Sequence, residues 1–171
     1  MVVELGCGWG HNLLNLYLAG GPRVPYYALE PSPAGRECVE LLARLEPQLD
    51  LRALPFDFQE ARYDLPTDNE HVLVFTVHSI EQVPALPREA ITGLFGLGRA
   101  VTVVHLEPVG WQIGDSTKLS HRYALRKNYN RNLWALLKDL EEAGEIAITR
   151  VVADLIGHKR YIASTLVVWQ R

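Results

Sequence analysis

Cysteine is scarce in this sequence, and long apolar runs are missing. The 171 residues contain two cysteines, Cys7 and Cys38, and neither belongs to a CxxC pair or to a Cys/His pattern with metal-ligand spacing. No stretch approaches the roughly 20 consecutive apolar residues that a membrane-spanning helix needs. No basic segment followed by an apolar segment opens the chain, as it does in a secretory signal. These absences argue against a zinc site and a membrane span, and they favour a cytoplasmic protein.

A dominant charge of one sign is also absent. Seventeen basic residues stand against twenty acidic residues, which gives a formal net charge of −3. Binding to a nucleic-acid backbone usually draws on an excess of positive charge. The charge balance therefore argues against nucleic acid as a partner.

The length of the chain favours one domain. With 48% apolar residues, 171 residues are enough for one sizeable core and too few for two ordinary domains. Internal repeats and low-complexity linkers are absent as well. We therefore expect a single domain over residues 1–171. Because the first predicted strand begins near residue 2, we also expect that an N-terminal covering segment is missing.

Apolar β-type segments alternate with helical patterns along the chain. Five strands are predicted at 1–5, 26–29, 49–54, 71–77 and 100–106. Helical spacing of apolar residues lies over 11–18, 34–45, 87–97 and 133–140. Two final β-rich segments, 146–155 and 161–169, have no room for a helix between them and should pair antiparallel through residues 157–160. The order predicts an α/β fold: a doubly wound, mostly parallel seven-stranded sheet with a C-terminal antiparallel hairpin and helices on both faces.

For two segments the sequence predicts more than the type of secondary structure. The second helix places Ala34, Cys38, Leu41, Leu42 and Leu45 on one stripe, which predicts that this stripe is buried. The segment 109–130 is irregular and rich in Gly, Trp, Ser and basic residues. It is the best candidate for a substrate-facing insertion.

An acidic residue followed by alternating glycines links the first strand to the first helix. Glu4 ends the strand, and Gly6, Gly8 and Gly10 follow, with Cys7 between the first two glycines. Glycine removes the Cβ atoms that would keep a ligand away from the backbone. The alternative is a tight turn that needs glycine and binds nothing.

Acidic residues also follow the second and third strands. Glu30, before Pro31, can accept both hydroxyls of a ribose, and Asp57, before Phe58, can accept the exocyclic amine of adenine. The ring or the backbone N–H of Phe58 can then meet the base. Singly, Glu30 can be a solvated residue before a turn, and Asp57 can form an Asx turn. Three acidic residues at three successive strand ends are difficult to explain as independent turns, and together they outline an adenosine site.

The segment from Glu4 to Gly10 resembles the first motif of class I, Rossmann-like S-adenosylmethionine-dependent methyltransferases. Glu30 and Asp57 match the ribose and adenine positions of that family, and the order of elements is similar over nearly the whole chain, including the final hairpin. The resemblance implies S-adenosylmethionine as cofactor. It implies these cofactor-binding residues: Glu4, Gly6, Cys7, Gly8, Gly10, Glu30, Pro31, Asp57, Phe58, Val77 and His78.

The nearest competitor is a nicotinamide- or flavin-binding Rossmann domain. Its fingerprint requires a third glycine three residues after the second, and His11 stands there. The spacing and the terminal hairpin favour the methyl donor.

The residues after the fourth strand bear on the acceptor atom. An Asp/Asn-Pro-Pro-aromatic sequence, which resembles amino methyltransferases, is absent there. His78 can instead take a proton from a substrate hydroxyl, and Glu81, one helical turn on, can orient the imidazole. The alternative is that His78 only caps the following helix.

Three further residues are candidates for substrate contact. Glu107 ends the fifth strand near the expected cleft, and Trp111 and Tyr129 lie in the aromatic and basic segment that follows. A solvated loop explains the same segment. No spacing resembles a dedicated metal motif, so we expect no metal.

The sequence thus predicts methyl transfer to an oxygen, or less favourably a nitrogen, of a small molecule such as a sugar or secondary metabolite. The alternatives are a noncatalytic methyltransferase-like binding module and an RNA or protein methyltransferase.

Overall fold

The structure, a computed structural model, describes residues 1–114, 119–159 and 162–171. The strands are β1 (Val2–Leu5), β2 (Tyr26–Leu29), β3 (Leu51–Leu54), β4 (Asn69–Val77), β5 (Gly98–Glu107), β6 (Ala147–Lys159) and β7 (Ile162–Gln170). The α-helices are α1 (His11–Leu18), α2 (Pro33–Leu45), α3 (Glu89–Thr92), α4 (Gly110–Ile113), α5 (Leu119–Arg126) and α6 (Leu133–Glu142). Two 3-10 helices span Ile80–Gln82 and Gly93–Leu97.

The seven strands of the described residues form one sheet in the order β3-β2-β1-β4-β5-β7-β6. Strands β1 to β5 are parallel, and β7 runs antiparallel to both β5 and β6. This confirms the predicted doubly wound sheet with its C-terminal hairpin. The order reverses beside β1, and a crevice forms at such a switch point outside the carboxyl ends of the strands. That edge carries the candidate site.

The sheet buries two apolar faces because successive side chains of a strand point to opposite sides. Val2 packs in a cluster with Leu13 of α1 and Val39 of α2. Val3, on the other face, packs in a cluster with Leu137 of α6. Helices therefore lie on both faces, as predicted.

On the face of the sheet that packs against α1 and α2, the part formed by β4, β5 and β7 is less covered than the rest. Phe75, Val104 and Val168 are paired across these strands and are half-buried. The expectation of a missing covering segment stays a prediction.

The predicted buried stripe of α2 is correct at Leu42 and wrong at Ala34, Cys38, Leu41 and Leu45. Cys38, Leu41 and Leu45 are exposed, whereas Val39 and Leu42 are buried. The reason lies at Gly35, where an added Cβ would stand 2.7 Å from the Cγ of Glu30. The helix meets the end of β2 through a glycine that apolar periodicity does not count, and this contact sets its rotation.

Three boundaries also differ from the prediction. The helix expected over 87–97 is only four residues long and continues as a 3-10 helix that contains Gly93 and Gly96. The segment 109–130, expected to be irregular, contains α4 and α5; residues 115–118 of this segment lie outside the described residues. Strand β6 extends to Lys159, through most of the expected turn at 157–160; residue 160 lies outside the described residues. Within the described residues, no helix has the length and apolar character needed to cross a membrane.

Candidate cofactor and active site

The loop after β1 packs against the turn after β4. Gly6 has a φ of +70°, and a Cβ there would stand 2.4 Å from the Cβ of Ser79. Ser79 donates a hydrogen bond from its hydroxyl to the carbonyl of Leu5 at 2.7 Å. Gly8 also has a positive φ, of +58°, but its absent side chain would point into open space. The loop is thus tightly packed at Gly6 and open at Gly8.

Glu4 is buried beneath this loop with one oxygen satisfied. Oε1 accepts a hydrogen bond from the Asn12 side chain at 2.7 Å, and Oε2 is buried without a hydrogen-bond partner among the described residues. Burial raises the pKa of Glu4 to about 7. A buried carboxylate oxygen without a donor is costly, and a cationic donor would relieve the cost.

Glu30 turns toward the glycine loop. Its Oε2 accepts the backbone N–H of Gly8 at 2.8 Å, and its Oε1 accepts the backbone N–H of Ser32 at 3.1 Å. The residue is 8% exposed. The ends of β1 and β2 are therefore tied by a carboxylate beside the open part of the loop.

An open cleft lies next to Glu30. It has a volume of about 350 Å³, and its lining includes Pro31, Arg36 and Asp57. This volume is within the usual range of small-molecule sites. Asp57 accepts the backbone N–H of Gln59 at 2.7 Å, so the Asx turn considered from the sequence is present. The carboxylate is nevertheless exposed at the cleft, beside Pro31.

Phe58 does not present its ring to the cleft. The ring is buried and packs edge-on against Phe56, with ring centroids 4.9 Å apart. Stacking of this ring on a base is therefore ruled out in this conformation, and a contact through the Phe58 backbone stays a prediction.

Three other residues expected at the cofactor have distinct surroundings. Cys7 is buried, which raises its thiol pKa. Gly10 faces α2, since a Cβ there would contact Val39 at 3.4 Å. Val77 is half-buried at the end of β4, directly before His78.

His78 and Glu81, which the sequence suggested as partners, are in contact. The Nδ1 of His78 lies 2.9 Å from Oε2 of Glu81. His78 has a φ of +52°, a conformation uncommon for a residue with a side chain. The hydrogen bond to Glu81 raises the pKa of His78.

The other ring nitrogen of His78 has a partner that sequence reasoning missed. Its Nε2 lies 2.6 Å from Oγ of Ser164, near the start of β7. The two residues are 86 positions apart, and only the pairing of β5 with β7 brings them together. No local pattern in the sequence signals this contact.

Glu107 does not face the cleft, contrary to the expected substrate contact. It is fully buried, and its oxygens accept the backbone N–H groups of Ser79, Ile80 and Glu81 at 3.1 to 3.2 Å. The first turn of the 3-10 helix after β4 presents these donors, which need an acceptor. Glu107 thus supports the turn that carries His78.

The two aromatic candidates lie differently. Tyr129 is half-buried, and its pKa is raised by burial and, to a smaller extent, by the charge of Glu81. The neighbouring Asn130 is fully buried and donates its backbone N–H to the carbonyl of Glu81 at 3.2 Å. Trp111 is half-buried, and its indole nitrogen has no hydrogen-bond partner among the described residues.

The described residues suit a nucleoside with a cationic group better than a metal. Glu4 has an oxygen without a donor, the loop is open at Gly8, and Glu30 stands beside the cleft of Pro31 and Asp57. By contrast, the described part of the chain contains no group of three or more His, Cys, Asp or Glu placed to hold a metal ion.

The fold is that of Rossmann-like S-adenosylmethionine-dependent methyltransferases. The structure is similar to an S-adenosylmethionine-dependent methyltransferase from Aquifex aeolicus, with a TM-score of 0.61 and 15% identity, over 99% of this chain and 80% of that one. It is similar to geranyl diphosphate C-methyltransferase from Streptomyces coelicolor, with a TM-score of 0.63 and 12% identity, over 99% of this chain and 73% of that one. It is also similar to magnesium protoporphyrin IX methyltransferase from Synechocystis, with a TM-score of 0.60 and 16% identity, over 100% of this chain and 74% of that one. No protein-family model and no curated protein sequence matches the chain.

Proposed function

We propose that this protein transfers a methyl group from S-adenosylmethionine to an oxygen, less favourably a nitrogen, of a small molecule such as a sugar or secondary metabolite. The observation that carries the proposal is the Glu30 carboxylate, which accepts the N–H of Gly8 at 2.8 Å, directly before Pro31 in the lining of the cleft. Its remaining lone pairs suit the ribose hydroxyls. Glu4, with an oxygen lacking a donor, suits the ammonium group at the other end of the same ligand. When bound, S-adenosylmethionine supplies an electrophilic methyl group on a sulfonium sulfur.

The pair of His78 and Glu81 favours an oxygen acceptor. A carboxylate at Nδ1 keeps the proton on that nitrogen, so Nε2 is the basic atom of the ring. Methylation of a hydroxyl releases a proton, which a base at this position can take. Holding the methyl donor and the acceptor in line contributes the larger share of the rate acceleration in such a reaction.

The segment after β5 favours a small acceptor. Tyr129 precedes Asn130, whose backbone N–H donates to the carbonyl of Glu81 and so holds the segment against the turn after β4. We assign residues 109–130 the role of covering the acceptor. The neighbouring structures include a geranyl diphosphate and a magnesium protoporphyrin methyltransferase, and both acceptors are small molecules.

Isothermal titration calorimetry with S-adenosylmethionine and S-adenosylhomocysteine tests the proposal. We expect saturable one-site heat with both ligands. Glu30→Gln should weaken binding by about 10- to 100-fold, because a charge-assisted hydrogen bond contributes about 1.5 to 3 kcal/mol. Glu70→Gln is the matched control, since Glu70 is exposed near the opposite end of β4, and its affinity should equal that of the unchanged protein.

Other results would favour the rival functions. No heat with either ligand contradicts cofactor binding. Binding without turnover over a panel of hydroxylated small molecules favours a noncatalytic module. Salt-sensitive retention of RNA would favour an RNA methyltransferase, against the net negative charge.

A further inference from the structure

Neither nitrogen of the His78 ring is free to meet a substrate. Nδ1 is engaged by Glu81 at 2.9 Å, and Nε2 is engaged by Ser164 at 2.6 Å. A neutral imidazole has one N–H donor and one lone pair. In the neutral ring with Nδ1–H donating to the carboxylate of Glu81, the lone pair of Nε2 accepts the hydroxyl proton of Ser164.

Two features of the fold position His78 and Ser164 against each other. Glu107 accepts three backbone N–H groups of the turn that begins at Ser79, and this fixes the place of His78. Glu107 pairs across the sheet with Thr165, the residue after Ser164. The register of β5 and β7 therefore sets Ser164 opposite the imidazole.

We propose that Ser164 is the group that meets the acceptor hydroxyl and that it passes the acceptor's proton to His78. This inference rests on the proposed methyl transfer. The acceptor O–H donates its proton to Oγ of Ser164 while the Ser164 hydroxyl proton moves to Nε2 of His78. The acceptor oxygen bonds to the methyl carbon, and the methyl–sulfur bond breaks with its electron pair left on sulfur. Glu81 stabilises the resulting imidazolium, which later loses its proton to water.

This transfer of a proton from the acceptor through Ser164 to His78, the relay, restricts the chemical class of the acceptor. A serine between base and substrate has to receive a proton through a hydrogen bond, so the acceptor needs a neutral O–H, as in an alcohol or a phenol. Ser164 is 6% exposed and the His78 side chain is 34% exposed, so the proposal requires an acceptor whose hydroxyl can enter a largely covered position.

A thiol at position 164 reports the contact without any methyl acceptor. In a Cys38→Ser background, which removes the exposed native thiol, the variant Ser164→Cys places a thiol against Nε2 of His78. An adjacent imidazole lowers a thiol pKa from about 8.5, often to below 7.5. The nearby carboxylates, Glu81 and Glu107, act in the opposite direction, so a lowered value reports the imidazole.

The measurement is the pH dependence of iodoacetamide alkylation, located by peptide mass spectrometry. We expect the introduced thiol to titrate at least about one unit below 8.5, and His78→Asn in the same background to reverse the shift. Asn tolerates a positive φ better than most residues, so this control should keep the turn. A thiol that titrates near its ordinary value, or that is not alkylated, overturns the relay.

Once a methyl acceptor is found, measuring kcat provides a second test of the relay. Ser164→Ala should lower kcat at least about tenfold, which is less than the roughly 100-fold effect of losing a proton-transfer group because the acceptor can then reach His78 directly. Its affinity for S-adenosylhomocysteine should be unchanged, which separates failure of the relay from failure of cofactor binding. Full activity in Ser164→Ala means that the acceptor meets Nε2 directly and overturns the proposal. Covalent labelling of Ser164 by a fluorophosphonate overturns it as well, because Ser164 would then act as a nucleophile.

Discussion

Oε1 of Glu107 accepts the backbone N–H of Ser79 at 3.1 Å, so a fully buried carboxylate on β5 holds the first residue of the turn after β4. Ser79 in turn bonds the carbonyl of Leu5 at 2.7 Å. The glycine loop, the turn that carries His78 and the end of β5 are thus joined in one hydrogen-bonded unit.

Replacing Glu107 should destabilise the protein. In Glu107→Gln an amide N–H₂ replaces one of the oxygens that accept backbone N–H groups, so at least one buried donor loses its acceptor. We expect a loss of about 1 to 3 kcal/mol in the free energy of unfolding, measured with urea. Glu70→Gln should stay within about 0.5 kcal/mol of the unchanged protein. Equal stability of both variants would contradict the supporting role of Glu107.

The effect of this substitution should depend on pH. Burial raises the pKa of Glu107 from 4.5 to about 7, so the folded state holds a proton that the unfolded chain has released. The stability from this group is present below pH 4.5 and is lost as the pH rises through about 7. Gln does not titrate. The destabilisation by Glu107→Gln should therefore shrink between about pH 5 and pH 7.5, and a difference that grows over this range would contradict the raised pKa.

Cofactor binding should release a proton from Glu4. Its pKa is raised to about 7 by burial, and a bound ammonium group would favour the carboxylate and lower that pKa. Titrations with S-adenosylmethionine near pH 6.5, in buffers of different ionisation enthalpy, should show release of a fraction of one proton. Glu4→Gln should show none. Equal proton release by the two proteins would place the ammonium group elsewhere.

The positive φ at His78 should affect the free energy of unfolding. Its φ of +52° suits glycine and disfavours alanine. His78→Gly and His78→Ala both lose the contacts with Glu81 and Ser164, so their difference reports the backbone alone. The Gly variant should be more stable than the Ala variant by about 1 kcal/mol in urea unfolding. The reverse order would mean that the turn relaxes to a negative φ.

The order of the helices and strands and the acidic residues at three strand ends could be predicted from local patterns in the sequence. Parallel strands bring their carboxyl ends to one edge of the sheet, so the positions of Glu4, Glu30 and Asp57 in the sequence suffice to place them there. The rotation of α2 did not follow, because Gly35, a residue without a side chain, makes the deciding contact with Glu30.

The surroundings of His78 depend on tertiary structure. Ser164 reaches the imidazole only through the register of β5 and β7, and the burial of Glu107 depends on three donors from a different loop. Sequence spacing marks His78 and Glu81 as neighbours because they are three positions apart. It does not mark partners that a sheet brings together.

A crystal structure with S-adenosylhomocysteine tests the central claim most directly. We predict ribose hydroxyls on Glu30, the amino group beside Glu4, adenine in the cleft of Pro31 and Asp57, and the sulfur facing His78 and Ser164. A ligand bound away from the glycine loop, or with its ribose turned away from Glu30, would contradict the account.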